Sequence, residues 1–212
     1  MPSKGERTQQ RIILAALELF SERGFMATSV RDIAARAEMT HAGLLHHFAS
    51  KDDLLVRILA FREDQDVINA RRFSDYGIDR LFAWIIDVVQ ANEADSSRVM
   101  AFVRLSAEAT DPDHPAYAYF SRRYERVLTA LDDAFAAHFA VFPPPHPITS
   151  RDAAIGIVAL MDGLQLQWLI RPDSVDMTGM VRQHLAALGV SVPDRHDTVL
   201  HPTSSPDRRS SP

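Results

Sequence analysis

Residues 28–48 of this chain are TSVRDIAARAEMTHAGLLHHF, and they predict two short helices joined by a tight turn. Ser29 and Asp32 have the spacing of a capping box at the start of the first helix. Thr40 follows the turn and is the expected N-cap of the second helix. Because helices this short are unstable in isolation, each must pack against a flanking helix.

Suitable flanking helices are predicted on both sides. Over residues 8–23 the apolar positions Ile13, Leu17 and Phe20 fall on one helical face, and Ser50 opens a further helix after the short pair. A short helix, a turn and a second short helix between two supporting helices form the sequence outline of a helix-turn-helix module.

The second short helix has one side available for an external partner. Leu44 and Phe48 are spaced to pack inward. In a helix-turn-helix the opposite side enters the major groove of DNA, where small residues allow close approach. The residues expected on or near that side are His41, Ala42, Gly43, Leu45, His46 and His47.

The rest of the chain also predicts helices, so the expected fold is all-α with about nine helices. Longer helices are expected over about residues 78–92, 96–110, 115–142, 150–170 and 175–188. The predicted organisation is an N-terminal DNA-binding domain over 1–50, a linking helix over about 50–72, a C-terminal ligand-binding and dimerisation domain over 51–189, and a disordered tail over 190–212.

Composition excludes several classes of protein. The 212 residues include no cysteine, which rules out disulfides, a thiol nucleophile and a cysteine-ligated zinc site. The net charge of −5 is uneven, since residues 1–60 carry +1 and residues 61–212 carry −6. No targeting segment or membrane span is evident, and a cytoplasmic protein is expected.

A set of motifs runs without gaps through residues 7–60 and indicates a family. These motifs are Ala16-x-x-Leu19-Phe20, Gly24-Phe25, Thr28-Ser29-Val30-x-x-Ile33-Ala34, Leu44, His46, Phe48 and Ser50-Lys51. With them, the segment resembles the DNA-binding domain of the TetR family of bacterial repressors, and the C-terminal part is similar, less closely, to the BetI-like branch. The resemblance implies a homodimeric repressor that binds a palindromic operator in double-stranded DNA and is released by a small-molecule effector.

The resemblance also assigns residues to the DNA interface. It implies that the residues facing the major groove are Arg31, His41, Ala42, Gly43, Leu45 and His47. Thr40, the N-cap of the second short helix, is a further candidate DNA-binding residue. The resemblance places Thr28, Ser29, His46 and Lys51 near phosphates. The chain departs from the common family pattern at His41, Gly43, Leu45 and His47, so base contacts by Gly43 and Leu45 are limited to backbone or apolar ones.

In the family the helices beyond the fourth form a ligand-binding and dimerisation domain. In this chain we expect the middle helices to enclose the effector and the last two to form the dimer. Candidate effector-binding residues are Trp84, Phe102, Glu108, Tyr117, Phe120, Tyr124, Gln165 and Trp168. Glu108 needs a partner on its apolar helix face, either an arginine such as Arg104 or a cationic ligand. The stretch 153–161 is apolar nearly all round, as expected at an interface. Candidate dimer residues are Ile157, Leu160, Met161, Leu164, Trp168, Met177, Val181, Leu185 and Leu188.

Other functions have less support in the sequence. A dimeric ligand-binding protein that has lost DNA binding would fit Gly43 and Leu45. A helical enzyme would have to use His114, Glu108 or the histidines near residue 46, yet the chain contains no phosphate-binding glycine loop and no nucleophile elbow. No metal or cofactor is expected, because His41 and His46 have no further ligand at metal-binding spacing.

Overall fold

A computed structural model describes residues 3–60 and 78–192, the side chains of residues 78–80 excepted. Within these ranges all regular structure is helical, which confirms the all-α prediction. The predicted linking helix beyond residue 60 and the predicted tail beyond residue 192 lie outside the described residues. The helices are α1 (Lys4–Arg23), α2 (Val30–Arg36), α3 (His41–His47), α4 (51–60, as far as it is described), α5 (Ile78–Glu93), α6 (Ser96–Glu108), α7 (Tyr117–Val141), α8 (Ser150–Ile170) and α9 (Met177–Ala187), with a 3-10 turn at Pro172–Ser174.

Helix α1 begins four residues before its predicted start at Thr8. Ser3 is its N-cap, and the Ser3 hydroxyl accepts a hydrogen bond from the Glu6 N–H while the Glu6 carboxylate accepts one from the Ser3 N–H. This capping box satisfies two N–H groups that would otherwise lack partners at the helix start. The prediction was wrong because it relied on apolar periodicity, to which these polar residues do not contribute.

The turn between α2 and α3 is a Schellman motif. The Met39 N–H donates to the Ala34 carbonyl at 2.9 Å, and the Glu38 N–H donates to the Ala35 carbonyl at 3.1 Å. Glu38 has a φ of 52°, the left-handed conformation that glycine usually supplies at this position. The turn therefore retains some backbone strain at Glu38.

The first hydrophobic core joins the helix-turn-helix to the C-terminal helices. Phe20 and Ile33 pack with Leu54 of α4, and Leu105 of α6 and Phe120 of α7 belong to the same cluster. Because the cluster is continuous, α6 and α7 form part of the support on which α2 and α3 rest.

The second core lies among α5, α7, α8 and α9. Its largest fully buried residues include Phe82 and Phe135, whose ring centroids are 5.0 Å apart. Helix α8 begins at Ser150, as predicted. Its N-cap is Thr149, whose hydroxyl accepts a hydrogen bond from the Asp152 N–H at 3.0 Å. Helices α5, α7 and α8, together with α6, form the walls of a cavity described below.

Candidate nucleic-acid interface and ligand cavity

The exposed residues of α3 lie together on one side of the helix. Leu44 is fully buried, whereas His41, Ala42, Leu45 and His46 are exposed. On a helical wheel the exposed four occupy one continuous arc, with Ala42 and Leu45 at its centre and a histidine at each edge. The sequence had predicted six outward residues, and the structure exposes these four.

Gly43 and His47, the other two predicted outward residues, are only half-exposed. A Cβ at Gly43 would lie 3.1 Å from Thr40 Oγ1 and 3.3 Å from Met39 Cε. The same Oγ1 caps the helix by accepting from the Gly43 N–H at 3.0 Å. The close packing around the Thr40 cap thus explains a glycine at position 43 without any contact with DNA.

The start of α2 presents one exposed cation. Arg31 is exposed, whereas Arg36 at the other end binds Glu18 and Glu22 of α1 at 3.0 and 2.9 Å. Ser29 is exposed and forms the predicted capping box with Asp32. Hydrogen bonds from the Ser29 hydroxyl and N–H hold the pKa of Asp32 below its ordinary value.

Thr28 and Lys51, both expected near phosphates, form hydrogen bonds within the protein. Thr28 is buried, and its hydroxyl donates to the Gly24 carbonyl at 2.7 Å. The Lys51 ammonium donates to the carbonyls of Phe25 and Thr28, each at 2.9 Å, and lies 4.1 Å from the centroid of the Phe25 ring. Burial lowers the pKa of Lys51. Thr28 therefore holds the loop between α1 and α2 in shape, and Lys51 ties that loop to α4.

Glu108 contacts this same loop and not the cavity, which corrects its assignment as a ligand residue. Its Oε2 accepts from the Phe25 N–H at 3.0 Å and lies 3.8 Å from Nε2 of the buried His114. A Cβ at Gly24, which has a φ of 83°, would collide with the Glu108 carboxylate. Arg104, the partner considered from the sequence, donates instead to the Ser21 carbonyl at 2.6 Å.

His114 has a defined tautomer in this arrangement. Its Nδ1 accepts from the Ala116 N–H at 3.2 Å, so a neutral ring carries its proton on Nε2, the atom facing Glu108. The ring also packs edge-on against Phe25 at 5.0 Å. These contacts join the end of α6 to the loop that supports the helix-turn-helix.

A cavity of about 440 Å³ lies between α5, α6, α7 and α8. Four predicted ligand residues line it: Trp84, Phe102, Tyr124 and Gln165. Besides Glu108, three others do not. Tyr117 is exposed at the start of α7, Phe120 is buried in the first core, and Trp168 packs against the second core.

The polar lining of the cavity was largely missed from the sequence. Asp162 accepts a hydrogen bond from the Tyr124 hydroxyl at 2.8 Å, and burial raises the pKa of this carboxyl. The pKa of Tyr124 is also raised, first by burial and then by its bond to Asp162. A carboxylate within the apolar helix α8 was the available signal. The other polar side chains on the wall are Asn92, Arg98, Tyr119, Arg123 and Gln165, of which the sequence indicated only Gln165.

Most of the predicted dimer residues lie in the interior of the protomer. Ile157, Leu164, Met177, Val181, Leu185 and Leu188 are buried in the protomer's own second core. Leu160, Met161 and Trp168 are half-buried, and Met161 lines the cavity. The prediction named the inward sides of α8 and α9, because a helix that is apolar all round has no polar face to orient it.

A different apolar side of α8 is exposed. Ile155 is 46% exposed, Leu166 50% and Ile170 70%, and the neighbouring α9 exposes 44% of Met180. By length and composition alone α8 could also cross a membrane, with 28% of its most apolar window buried in the protomer. This side of the helix therefore exposes apolar surface to solvent.

Comparisons with known proteins match both parts of this architecture. The model of the bacterial regulatory proteins of the tetR family matches residues 12–58. The model of the C-terminal domain of BetI-type transcriptional repressors matches residues 77–190, which is more than half of the chain. The chain belongs to the TetR family.

Individual relatives agree with the family over most of their length. The chain is 25% identical over 195 residues to the HTH-type transcriptional regulator AcrR of Shigella flexneri, covering 87% of this chain and 89% of AcrR. It superposes on NalD of Pseudomonas aeruginosa, a repressor of the MexAB-OprM efflux pump, with a TM-score of 0.67 at 21% identity, covering 88% of this chain and 96% of NalD. The TM-score to FadR of Bacillus subtilis, solved with stearoyl-CoA, is 0.68 at 18% identity, over 87% and 99% of the two chains. This chain is thus a TetR-family transcriptional regulator with a helix-turn-helix.

Proposed function

We propose that this TetR-family regulator is a repressor that binds a palindromic operator as a homodimer and is released by a small-molecule effector. The observation that carries the proposal is the exposed side of α3, displayed on a helix-turn-helix whose core continues into the walls of a cavity. Residues proposed to face DNA are Arg31, Thr40, His41, Ala42, Leu45 and His46, with Ser29 toward the phosphates.

DNA binding is tested with the duplex upstream of the regulator's own gene. Wild-type affinity is expected to fall steeply with salt, because phosphate contacts release counterions. Arg31→Ala should weaken binding and reduce the salt dependence, whereas Arg151→Ala, at an exposed arginine on α8, should not. Specific DNA that binds no better than random DNA would overturn the proposal in favour of a ligand-binding protein without DNA binding.

Thr28 and Lys51 have an indirect role in this proposal. Their polar groups are bonded to the loop between α1 and α2, so we assign them the positioning of α2 and α4. Gly43 and His47 are assigned mainly to packing, since both are half-buried.

The homodimer would form through the exposed apolar side of α8 and α9. Two recognition helices can read both halves of a palindrome only if a dimer holds them about one DNA turn apart. Leu166→Asp should convert the dimer to monomer in sedimentation experiments, whereas Leu14→Asp, at an apolar residue 55% exposed on α1, should leave it dimeric. If Leu166→Asp stays dimeric, this interface is wrong.

The cavity is the proposed effector site. Its walls combine apolar side chains with several polar groups that could orient a ligand, and its volume lies within the usual range for a small-molecule pocket. Trp84 lines it and Trp168 does not, so Trp84 is the sole tryptophan reporter in a Trp168→Phe variant. A compound that both changes Trp84 fluorescence and releases DNA would identify the effector.

We propose no catalytic role and a cytoplasmic location. Glu108 and His114, two of the candidate residues for an enzyme, form the contact between α6 and the α1–α2 loop. Among the described residues no three His, Asp or Glu side chains are grouped as a metal site. Retention of the protein in the soluble fraction without detergent tests the location against a membrane-inserted α8.

A further inference from the structure

The centre of the exposed side of α3 is apolar. Ala42 and Leu45 are three residues apart and adjacent on the helical surface, and Leu45 is 39% exposed. Leu44 fills the core below, so Leu45 lies on the outer side of the helix. His41 and His46 flank the apolar pair. A DNA base beneath the middle of this helix would meet methyl groups first.

We propose that Leu45, with Ala42 beside it, recognises the 5-methyl group of a thymine in the major groove. This inference rests on the proposed DNA-binding function and names the base that the recognition helix selects at its centre. Thymine is the only base that presents a methyl group in this groove, and apolar side chains are the groups that contact it.

The side chains on α3 favour this assignment over a polar one. Guanine is most often specified by arginine or lysine and adenine by asparagine or glutamine, each through paired hydrogen bonds. Residues 41–47 contain none of these four residue types. The two flanking histidines can each donate a single bond to a base edge. Discrimination at the centre of the helix must therefore come from apolar contact.

Internal packing accounts for Leu45 only in part, since 39% of the residue is exposed and it lies outside the hydrophobic clusters of the described residues. Gly43 is explained by the Thr40 cap and Leu44 by the core, but the outward position of Leu45 contributes to neither. An exposed apolar side chain gains free energy when it is covered, by about 25 cal/mol per Å² of apolar surface removed from water. A thymine methyl would supply that cover only in the complex.

The test uses the full chain and a binding site selected from a random duplex library. Each thymine of the selected site is then replaced by deoxyuridine, which removes the methyl group and leaves the hydrogen-bonding edge unchanged. Each half-site should contain one thymine whose replacement by deoxyuridine lowers the affinity of the wild-type protein about fourfold. This is the loss expected when one buried methyl group is removed. Replacing both half-site positions should cost about fifteenfold if the two contacts are independent.

The Leu45→Ala variant should bind the thymine and deoxyuridine duplexes with nearly equal affinity. Leu14→Ala is the matched control, because it shortens an exposed leucine on α1 and should keep the wild-type preference. Since Leu45 is exposed, the thermal unfolding of Leu45→Ala should match that of the wild type.

Two results would overturn the inference while leaving the proposed function intact. One is a selected site at which no deoxyuridine substitution weakens binding, and the other is a thymine preference that persists in Leu45→Ala. If the library yields no enriched sequence at all, the proposed DNA-binding function itself fails. The two failures are thus distinguishable.

Discussion

Lys51 gives the sharpest test of how the helix-turn-helix is held in place. Its ammonium group donates two hydrogen bonds to the carbonyls of Phe25 and Thr28 and lies over the Phe25 ring. Lys51→Met keeps an unbranched apolar chain above the ring and removes both bonds. Hydrogen bonds from a charged donor are worth about 1.5–3 kcal/mol each when buried, and the partial exposure of Lys51 reduces this. We expect a net loss of about 1–3 kcal/mol.

For a chain of this size that loss corresponds to a fall in Tm of about 2–4 °C per kcal/mol. The chain contains a single other lysine, the exposed Lys4, so Lys4→Met is a matched control that should leave Tm unchanged. DNA affinity is measured in parallel as a function of salt. A direct phosphate contact would contribute about 0.9 to the slope of log K against log salt per protomer, whereas a positioning role contributes nothing. An unchanged Tm together with a shallower salt slope would refute our reasoning and make Lys51 a phosphate ligand.

Four further predictions test other parts of the structure. Thr28→Val should lower the free energy of unfolding in urea by about 1 kcal/mol, because the buried hydroxyl bond to Gly24 is lost while the shape is kept; an unchanged midpoint would contradict this. Glu38→Gly should raise the free energy of unfolding by up to about 1 kcal/mol, since glycine adopts the left-handed φ at the α2–α3 turn without strain. A lower free energy of unfolding in this variant would contradict backbone strain at Glu38. Glu108→Ala should lower the free energy of unfolding by about 1–3 kcal/mol, because it leaves the Phe25 N–H unpaired. The same substitution should not alter ligand binding as measured by Trp84 fluorescence. Burial raises the pKa of Asp162, so the ionised carboxylate destabilises the fold at neutral pH, and this penalty is relieved as pH falls through the raised pKa. Asp162→Asn removes the ionisable group and should therefore raise Tm relative to the wild type at neutral pH. The gain in Tm should shrink toward acid pH.

The helix boundaries were predictable where a cap marks them. Thr40 and Thr149 begin α3 and α8 where their side chains can accept a backbone N–H, and Ser29 does so for α2. The start of α1 was missed although the Ser3–Glu6 capping box is present, because the residues after it lack an apolar pattern. Local chemistry thus defined helix ends better than periodicity did.

The ligand cavity was only half-predictable. Aromatic residues such as Trp84 and Tyr124 were recognised as candidates, but Glu108 was placed in the cavity and Asp162 was not. Both are carboxylates on apolar helices, and the sequence does not indicate which of them lines the cavity. The answer depends on a distant part of the chain, since Glu108 accepts from the N–H of Phe25.

The sequence of residues 28–48 by itself determined the helix-turn-helix, because caps and apolar spacing act within one or two helical turns. Through the same local pattern it determined that Leu44 is inside and Leu45 outside. Tertiary structure alone decided which face of α8 remains exposed, where Lys51 and Glu108 find their partners, and which side chains line the cavity. Those outcomes depend on contacts between helices far apart in the chain, and an evenly apolar helix carries no local signal of which neighbour it will meet.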